Sequence, residues 1–382
     1  MSNRNGSNWD PFSVNVQRDQ RSAYDEMREH CPVAYSASWG WSVFRHADIM
    51  DILHDSETFS NNVSSHTSVP NGMDPPEHTQ YRKLVEVYFE DDRIAEFEPK
   101  CRGVASDLVD QITGCGEVEF IDRFARTFAV RVQCAFMSWP KEMHQPLREW
   151  TINNIRAIRN RDRPAIKRVA RRFQRHMKEL LSTIREADPD QNITAHLLHQ
   201  KVNGQRLTDE EIISILRNWT MGEVGTITNA IGILVHFVAA RSDVQSKLRA
   251  ETIRLEDAIE EILRLYGPLV TNRRKTRCPV NISGRRIEAG ETITTNWVAA
   301  NRDGQAFEEA EAFNPERNQE QNLLFGAGIH ACPAAPLARM ELRVVLEELL
   351  KKTSDISLSQ DTPPVKAQYP ESGNNRLYLQ LK

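Results

Sequence analysis

Long apolar runs are missing from the sequence. Its 382 residues contain no stretch of about 18 apolar residues, so we expect no membrane-spanning segment and no membrane partner. The start, residues 1–9, is polar and lacks the apolar core of a signal peptide. We therefore expect a cytoplasmic protein.

Charge of one sign and clustered cysteines are missing as well. The net charge is only −4, which argues against a general binder of nucleic acid or of anionic membranes. The six cysteines are scattered, without paired metal-ligand spacings or the density of a secreted disulfide scaffold, which fits a reducing compartment. We find no internal repeat, low-complexity tract or linker that divides the chain.

The sequence does contain a mostly helical pattern with short stretches of alternating residues. Hydrophobic residues make up 40% of it, so a sizeable core is possible. The patterns predict a hairpin over 34–44, a loop over 61–76, mainly helix over 78–240, a small β region over 280–295 and a last strand over 377–381. We expect a mainly α protein with minor β structure.

A short stretch near the C-terminus carries the strongest chemical signal. Its two glycines, Gly326 and Gly328, allow a tight loop that can approach a flat ligand, and Phe325 offers an aromatic wall. Cys332 sits just before a helical run, where free N–H groups and the helix dipole favour a thiolate. A thiolate in a dry pocket is a strong axial ligand for haem iron. The alternative is a buried structural cysteine, because free Cys usually behaves as a small hydrophobe.

The full pattern, Phe-Gly-x-Gly-x-His-x-Cys from Phe325 to Cys332 followed by an amphipathic helix, resembles the haem-ligand loop of the cytochrome P-450 superfamily. The family usually has glycine where this chain has Ala334. The resemblance implies a triangular α-helical prism with small β-sheets, formed by one haem-binding domain over residues 11–382 after a disordered or extended N-terminus, residues 1–10. It also implies that Cys332 binds the iron and that Phe325 and Gly326 lie against the cofactor.

Two basic segments predict contacts to the carboxylates of that cofactor. His78 and Arg82 stand four residues apart on one face of a helix, and two donors on one face can bind a carboxylate pair. Taken alone, such a pair is also compatible with a solvated helix face. The resemblance implies that this helix binds the haem propionates, with Arg274 as a third contact, Arg273 as its close rival and His330 completing the set.

A long helix is predicted from about Thr208 to residue 240. Thr208 and Glu211 have the spacing of a capping box, and a helix of this length spans roughly 48 Å at about 1.5 Å per residue. Thr226 could donate a hydrogen bond to the carbonyl of Gly222, which would bend the helix and open a groove. A core helix with two tolerated glycines is the alternative.

In the P-450 family this helix passes over the haem and carries an alcohol that steadies iron-bound oxygen and passes protons. The resemblance makes Thr226 that alcohol, although strict register from Gly222 would place Gly225 there. The family normally has an acid directly before the alcohol, where this chain has Gly225. Glu223, three residues before Thr226 and roughly on the same face, is the candidate replacement.

A Glu-x-x-Arg pair, Glu261 and Arg264, is predicted to be structural. Such a pair is often an exposed ion pair worth well under about 1 kcal/mol. Its distance before Cys332 resembles the structural pair of the P-450 family, with Arg317 as the third member, which would hold the haem-loop side of the fold. The strongly basic stretch from Arg156 to Lys178 fits a solvated helix face, or less well an attractor of acidic substrates.

The resemblance implies a haem-thiolate monooxygenase that inserts one oxygen atom of O2 into a small or medium organic substrate by hydroxylation, epoxidation or O-dealkylation. The cofactor would be haem b. Electrons would come from NAD(P)H through a reductase and a separate ferredoxin or flavodoxin, because the chain carries no flavin or iron–sulfur module. The partner would dock on basic residues behind the cysteine, with acidic residues 90–92 nearby: Arg82, Lys83, Arg339 and Arg343. We expect a monomer.

Two other uses of the same cofactor stay open. Gly225 favours peroxide-driven or otherwise atypical oxidation without the usual proton relay. A haem protein that binds ligands without turnover is the second alternative. The sequence names no substrate, although residues 61–69, 219–226 and 269–272 are predicted to line its pocket.

Overall fold

The computed structural model describes residues 9–37, 39–64 and 66–382, in which most elements are α-helices and the strands are short. Its α-helices are α1 Val14–Arg18, α2 Gln20–His30, α3 His46–His54, α4 Glu77–Glu86, α5 Asp91–Ile112, α6 Arg126–Phe136, α7 His144–Arg159, α8 Arg163–Ile184, α9 Ile193–His199, α10 Asp209–Thr220, α11 Thr228–Ala240, α12 Ser242–Arg249, α13 Leu255–Tyr266, α14 Trp297–Ala300 and α15 Ala335–Lys352. Two segments are π-helical, Ile121–Ala125 and Met221–Ile227, and three are short 3₁₀ turns, Val87–Phe89, Lys141–Met143 and Gly328–His330.

The strands are short and form small sheets. They are β1 Val33–Ser36, β2 Gly40–Val43, β3 Phe59–Ser60, β4 Glu117–Glu119, β5 Lys201–Val202, β6 Gln205–Arg206, β7 Thr271–Thr276, β8 Val280–Ile282, β9 Arg285–Ile287, β10 Thr292–Asn296, β11 Ile356–Leu358, β12 Val365–Lys366, β13 Asn374–Arg376 and β14 Tyr378–Leu381. The largest sheet has the order β1-β2-β10-β7-β3. Within it β10 runs parallel to β2 and antiparallel to β7, so that Ile293 lies between Trp41 and Arg274.

The local predictions agree with these elements. The hairpin over 34–44 is confirmed as the antiparallel pair β1 and β2, and the described part of 61–76 has no helix or strand. The β region over 280–295 and the last strand are also confirmed. The helical stretch over 78–240 is interrupted by β4 and by the hairpin of β5 and β6, which the helical pattern did not reveal. Residues 1–8 of the expected disordered N-terminus lie outside the described residues.

The central helix runs without a break from Asp209 to Ala240, through α10, the π-helical Met221–Ile227 and α11. The predicted capping box is present, because Thr208 and Glu211 each bond the other's backbone N–H. This helix is long and apolar enough to cross a membrane, but 72% of its apolar window is buried inside the protein, as in a core helix. Its burial places the middle of the helix deep within the domain.

The helix widens in its middle, although not by the predicted contact. Among the described residues, no hydrogen bond joins the Thr226 hydroxyl to the carbonyl of Gly222. Instead Thr228 Oγ1 donates to the carbonyl of Val224 at 2.6 Å, just beyond a full π-helical turn. The backbone is therefore widened locally, and the prediction that Thr226 carries the side-chain bond was wrong.

The helix behind the cysteine, α15, is the second axis of the core. It packs most extensively against α5 and also touches α13 and the π-helical segment. Its buried face is mainly aliphatic, with Leu337, Val344 and Leu349 nearly or fully buried. This packing fixes the loop that precedes α15 relative to the central helix.

Candidate functional site

The loop before α15 folds tightly around its two glycines. Gly326 and Gly328 have φ angles of +73° and +68°, which side-chain-bearing residues rarely adopt. A Cβ atom on Gly328 would also overlap the backbone carbonyl of Leu53, so α3 closes directly over the loop. The N–H of Cys332 donates to the carbonyl of Phe325 at 2.8 Å, which closes the loop into a ring.

Cys332 is exposed on one side and enclosed by protein on the others. Burial raises the pKa of its thiol, while the N–H of Ala334 and the charges of Arg82 and Arg339 act in the opposite direction. The expected N–H donor is thus present, but the cost of burying a thiolate outweighs it. A bound metal ion would supply this stabilisation, because a coordinating thiol is deprotonated.

The aromatic wall beside the cysteine is held by a cation. The guanidinium carbon of Arg339 lies 4.5 Å from the ring centroid of Phe325. Arg339 is itself paired with Glu260 of α13 at 2.6 Å. Stacking of this kind adds about 0.5–1 kcal/mol at an exposed position, so it orients the ring more than it stabilises the fold.

Two histidines meet beside the loop. The rings of His78 and His330 are 4.2 Å apart between centroids, and the Nε2 atom of each is buried with no hydrogen-bond partner among the described residues. Burial lowers the pKa of both, to about 3 for His330, where His78 and Arg274 add positive charge. A buried polar atom without a hydrogen-bond partner costs free energy, so a ligand that forms hydrogen bonds with these two nitrogens would be stabilised here.

Arg274 joins the histidines from β7. It is 3% exposed, its Nη1 donates to the carbonyl of Arg273 at 2.9 Å, and burial lowers its pKa to about 10. Arg273 points the other way and stacks on Trp39 at 4.8 Å from the ring centroid. Alternation along β7 therefore favours Arg274 over its rival, while Arg82 approaches from α4 and pairs with Glu86 at 2.6 Å.

Together the loop and the donors fit a haem group. Two imidazoles with unpartnered Nε2 atoms among the described residues, together with the guanidinium groups of Arg82 and Arg274, are suited to bind carboxylates, and haem carries two. Three apolar side chains near these segments are unusually exposed, namely Val63 at 39%, Leu269 at 43% and Ile329 at 40%. Val63 and Leu269 belong to segments predicted to line the pocket, and Ile329 lies in the cysteine loop. Exposed apolar surface of this kind suits a ligand-binding groove.

Two glycines in the middle of the central helix border open space. A Cβ atom on Gly222 or Gly225 would have no heavy atom within 4 Å beyond its own neighbourhood, so the backbone there borders open space. Thr226, next to Gly225, is half-buried and has no hydrogen bond from its hydroxyl among the described residues. A free alcohol is therefore available in the middle of the helix.

Glu223 makes a contact that the sequence did not predict. Its carboxyl acts on the carboxyl of Glu341 in α15; burial raises the pKa of Glu223 to about 8, and burial together with the charge of Glu223 raises the pKa of Glu341 well above its usual range. Glu341 was missed because a lone Glu in an amphipathic helix usually faces solvent. The available signal was its register, since it lies four residues after Leu337 and three before Val344, on the apolar face.

The predicted structural set of three charges is confirmed. Glu261 and Arg264 are fully buried and form a bidentate pair at 2.8 and 2.9 Å. Arg317 reaches the same carboxylate at 3.2 Å, and the N–H of Asn314 donates to it at 3.1 Å. The set ties α13 to the segment that leads into the cysteine loop.

The other basic residues are divided between paired and free. Three of the four predicted docking cations form ion pairs: Arg82 with Glu86, Arg339 with Glu260, and Arg343 with Glu98 and Glu347. The fourth, Lys83, has no ion pair among the described residues. The cations of α8 are largely exposed, as expected for a solvated face.

Comparisons with known proteins agree on one family. The cytochrome P450 family model matches residues 118–373. The erythromycin C-12 hydroxylase of Saccharopolyspora erythraea is 29% identical over 353 residues, which cover 88% of this chain and 87% of the relative. The cyclomarin C epoxidase CymV of Salinispora arenicola is 26% identical and covers 93% of this chain and 95% of its own.

Solved structures lead to the same family. The cytochrome P450 PksS of the bacillaene polyketide synthase from Bacillus subtilis superposes with a TM-score of 0.89 at 25% identity, over 98% of this chain and all of its own. The expected triangular fold is thereby confirmed. A family model that spans most of the chain, relatives that cover nearly all of it and a shared fold lead to one conclusion: the chain belongs to the cytochrome P450 family.

Proposed function

We propose that the protein is a haem b monooxygenase that inserts one oxygen atom of O2 into a small or medium organic molecule, with Cys332 as the iron ligand. Membership of the family makes it a haem oxidoreductase of the monooxygenase type, and relatives are named as a hydroxylase and an epoxidase. A single domain over residues 11–382 and a cytoplasmic location are part of the same proposal.

One observation carries the proposal. An exposed cysteine, in a loop that turns at two glycines with positive φ angles, lies beside two histidines whose buried Nε2 atoms have no hydrogen-bond partner among the described residues, and beside the buried Arg274. His78, Arg82, Arg274 and His330 would bind the two propionates, and Phe325 and Gly326 would lie against the ring. The bound haem supplies oxygen activation, and its thiolate ligand favours cleavage of the O–O bond. The chain's own residues supply binding, orientation and protons.

The oxygen side of the pocket would be formed by the central helix. Thr226 offers a hydroxyl that can both accept and donate a proton, and the open backbone at Gly222 and Gly225 leaves room beside it. Glu223 is the proposed source of protons, since a buried carboxyl with a raised pKa holds a proton at neutral pH. Segments 61–69, 219–226 and 269–272 would bind the substrate.

Electrons would arrive from outside. Bacterial members of the family generally draw them from a reductase through a ferredoxin, and here a ferredoxin or flavodoxin fed by NAD(P)H is proposed. Lys83 is the exposed cation of the predicted docking set that is left free for an acidic partner. A monomer is proposed as the working form.

The spectrum of the haem-loaded protein tests the assignment. The reduced carbonyl adduct should have the signature of thiolate coordination, and candidate substrates should displace the iron-bound water and change the spectrum. Purified protein that stays colourless after expression with ample haem precursor would contradict the proposal, as would an adduct typical of a histidine ligand.

The peroxide-driven alternative is favoured by a specific feature of the helix. The residue directly before Thr226 is Gly225, so no acid stands beside the alcohol in the sequence. The carboxyl of Glu223 interacts with the carboxyl of Glu341. Steady product formation with peroxide alone, and none with ferredoxin and NADH, would support this use. The reverse result would support the reductive reaction.

A further inference from the structure

A second cavity lies at the C-terminal end of the central helix, away from the cysteine loop. Its volume is about 290 Å³, close to the lower end of the range for small-molecule sites. Its walls come from α1 and α2, from the last turns of α11, from Tyr266 at the end of α13, and from the hairpin of β12 and β13. None of its lining residues belongs to the cysteine loop, to the proposed propionate contacts or to the segments proposed to bind the substrate. The cavity is therefore separate from the candidate haem site.

The walls of this cavity are tied to one another by hydrogen bonds. Nε2 of Gln20 donates to the carbonyls of Ala367 and Glu371 at 3.0 and 3.2 Å, which joins α2 to the hairpin of β12 and β13. The hydroxyl of Ser372 donates to the carbonyl of Tyr266 at 2.9 Å, which joins the same hairpin to α13. Because these bonds link separate parts of the chain, the cavity is formed before any ligand arrives, and binding does not have to order its walls.

One side of the cavity is apolar and partly aromatic. Ile233 and Phe237 stand four residues apart on one face of α11, and both line the cavity. The rings of Phe237 and Tyr266 are 5.7 Å apart between centroids, in an edge-to-face arrangement. The guanidinium carbon of Arg21 lies 4.3 Å from the centroid of the Tyr266 ring, so a cation stands at the border of this surface. An apolar or aromatic group of a ligand would fit here.

The other side of the cavity carries an excess of positive charge. The lining contains three cations, Arg21, Arg241 and Lys366, and one carboxylate, Asp19. Arg241 is paired with Asp243 at 2.8 Å, whereas Arg21 and Lys366 form no ion pair within the part of the chain that the structure describes. The carboxylate of Asp19 caps α2 and accepts hydrogen bonds from its first turn. Two cations are thus available to an anion beside the apolar surface.

His236 adds an uncharged donor to these cations. Its Nδ1 accepts a hydrogen bond from the amide of Asn374 at 2.8 Å, and Asn374 is only 4% exposed, so the imidazole is held in place. Burial lowers the pKa of His236, and the charges of Arg21 and Lys366 act in the same direction, so the ring is neutral at pH 7. A neutral ring whose Nδ1 accepts carries its proton on Nε2. That nitrogen has no hydrogen-bond partner among residues 9–37, 39–64 and 66–382, and it can donate to a ligand.

We propose that this cavity is a binding site for a small organic carboxylate, whose apolar or aromatic body lies on Phe237 and Tyr266 and whose carboxylate is bound by Arg21, Lys366 and His236. Hydrogen bonds from a guanidinium or ammonium group to a carboxylate are about twice as strong as neutral ones, so the anion supplies the specificity. A neutral molecule of the same shape would contact the apolar side but leave both cations without a partner. The site does not depend on the haem or on the proposed function.

Calorimetric titration of the purified, haem-loaded protein with 3-phenylpropionate tests the site, and 3-phenylpropionamide is the neutral control. The acid should bind to one site with a Kd of about 1 mM or tighter, and the amide should bind at least about tenfold more weakly. The haem spectrum, recorded during the same titration, should not change. Absence of binding, or equal binding of acid and amide, would overturn the proposal. A change in the haem spectrum that follows the heat would place the acid at the candidate haem site and would also overturn it.

Substitution of the free cations then locates the bound acid. Arg21→Gln and Lys366→Gln should each weaken the binding of 3-phenylpropionate about tenfold, because each removes one charge-assisted hydrogen bond. Arg18→Gln, at an exposed position of α1 outside the cavity, is the matched control and should change the Kd by less than about twofold. Circular dichroism of the three variants shows that they are folded. Equal affinities of the three folded variants for the acid would mean that it binds elsewhere and would reject the site.

Discussion

At the scale of single residues, the site is defined by what each side chain lacks. Burial raises the pKa of the Cys332 thiol, and Nε2 of His78 and of His330 has no hydrogen-bond partner in the part of the chain that the structure describes. Arg274 is a buried cation with one backbone acceptor. The proposed haem, which combines a metal ion with two carboxylates, would supply each of these side chains with a partner.

Replacing Cys332 with serine should abolish the thiolate signature of the reduced carbonyl adduct. The serine hydroxyl is a far weaker donor to iron, so the absorption should shift to that of a site without a thiolate. Difference spectroscopy of the purified protein measures this. Cys278→Ser, a change at an exposed cysteine, is the matched control and should leave the spectrum intact.

Arg274→Gln should weaken haem retention, while Arg273→Gln should not. A charge-assisted bond to a carboxylate contributes about 1.5–3 kcal/mol, which corresponds to roughly 10- to 100-fold in affinity. Haem transfer to an acceptor protein measures the dissociation rate. Equal effects of the two substitutions would contradict the choice of Arg274, since Arg273 stacks on Trp39 on the other face of β7.

At the scale of elements, the central helix and α15 bring the chemistry together. The π-helical segment interrupts the regular backbone where the open side is needed, and α15 carries both the cysteine loop at its start and Glu341 on its buried face. The set formed by Glu261, Arg264 and Arg317 ties α13 to the approach of that loop. The residues that stabilise this part of the fold are therefore distinct from those of the candidate site, although both groups lie on neighbouring elements.

The two threonines of the widened helix should respond differently to valine. Thr226→Val removes a free hydroxyl at the open side, so electron coupling to product should fall while stability changes little. Thr228→Val removes a buried hydroxyl that donates to Val224 at 2.6 Å, so stability should fall by about 1 kcal/mol with coupling preserved. Peroxide assays and urea unfolding of both variants measure the two effects. Loss of coupling in Thr228→Val but not in Thr226→Val would make Thr228 the alcohol on the oxygen side.

Arg317→Met should destabilise the folded protein by about 3–5 kcal/mol, because it leaves part of the Glu261 charge buried without compensation. Urea unfolding followed by circular dichroism measures the loss. Arg254→Met in the exposed pair with Asp257, where the nitrogen and oxygen are 3.8 Å apart, is the matched control and should cost less than about 1 kcal/mol. A similar loss in both would mean that the set is not a structural core.

The sequence predicted the elements that depend on periodicity, capping and turns. The hairpin of β1 and β2 and the capping box at Thr208 follow from local chemistry, and both are present. The contact of Glu223 with Glu341 could not be predicted, because it depends on how two helices more than a hundred residues apart pack. The choice of Arg274 over Arg273 needed the register of β7, which a sequence pattern fixes only to within one residue.

At the scale of the whole molecule, the face behind the cysteine is largely neutralised by its own acids. Arg82, Arg339 and Arg343 are paired with glutamates, so the net attraction for an acidic partner is smaller than the count of cations suggests. Lys83 is exposed and unpaired among the described residues. The docking energy should thus depend on few positions.

Lys83→Glu should raise the KM for an acidic ferredoxin roughly fivefold, as expected for a loss of about 1 kcal/mol at a rim position. Rates of ferredoxin-supported turnover at several salt concentrations measure it, and the effect should shrink as salt rises. Lys167→Glu on α8 is the matched control, and an equal effect there would place the partner elsewhere.

The order of strands in the largest sheet has a consequence for synthesis. β2 is completed by β10, whose residue Ile293 pairs with Trp41 across roughly 250 intervening residues. At about 5–20 residues per second, the ribosome needs roughly 10–50 seconds to supply that neighbour. During this interval, the backbone N–H and C=O groups on the β10 side of β2 have no partner strand. We therefore expect nascent chains stopped before β10 to be captured by chaperones and degraded by proteases.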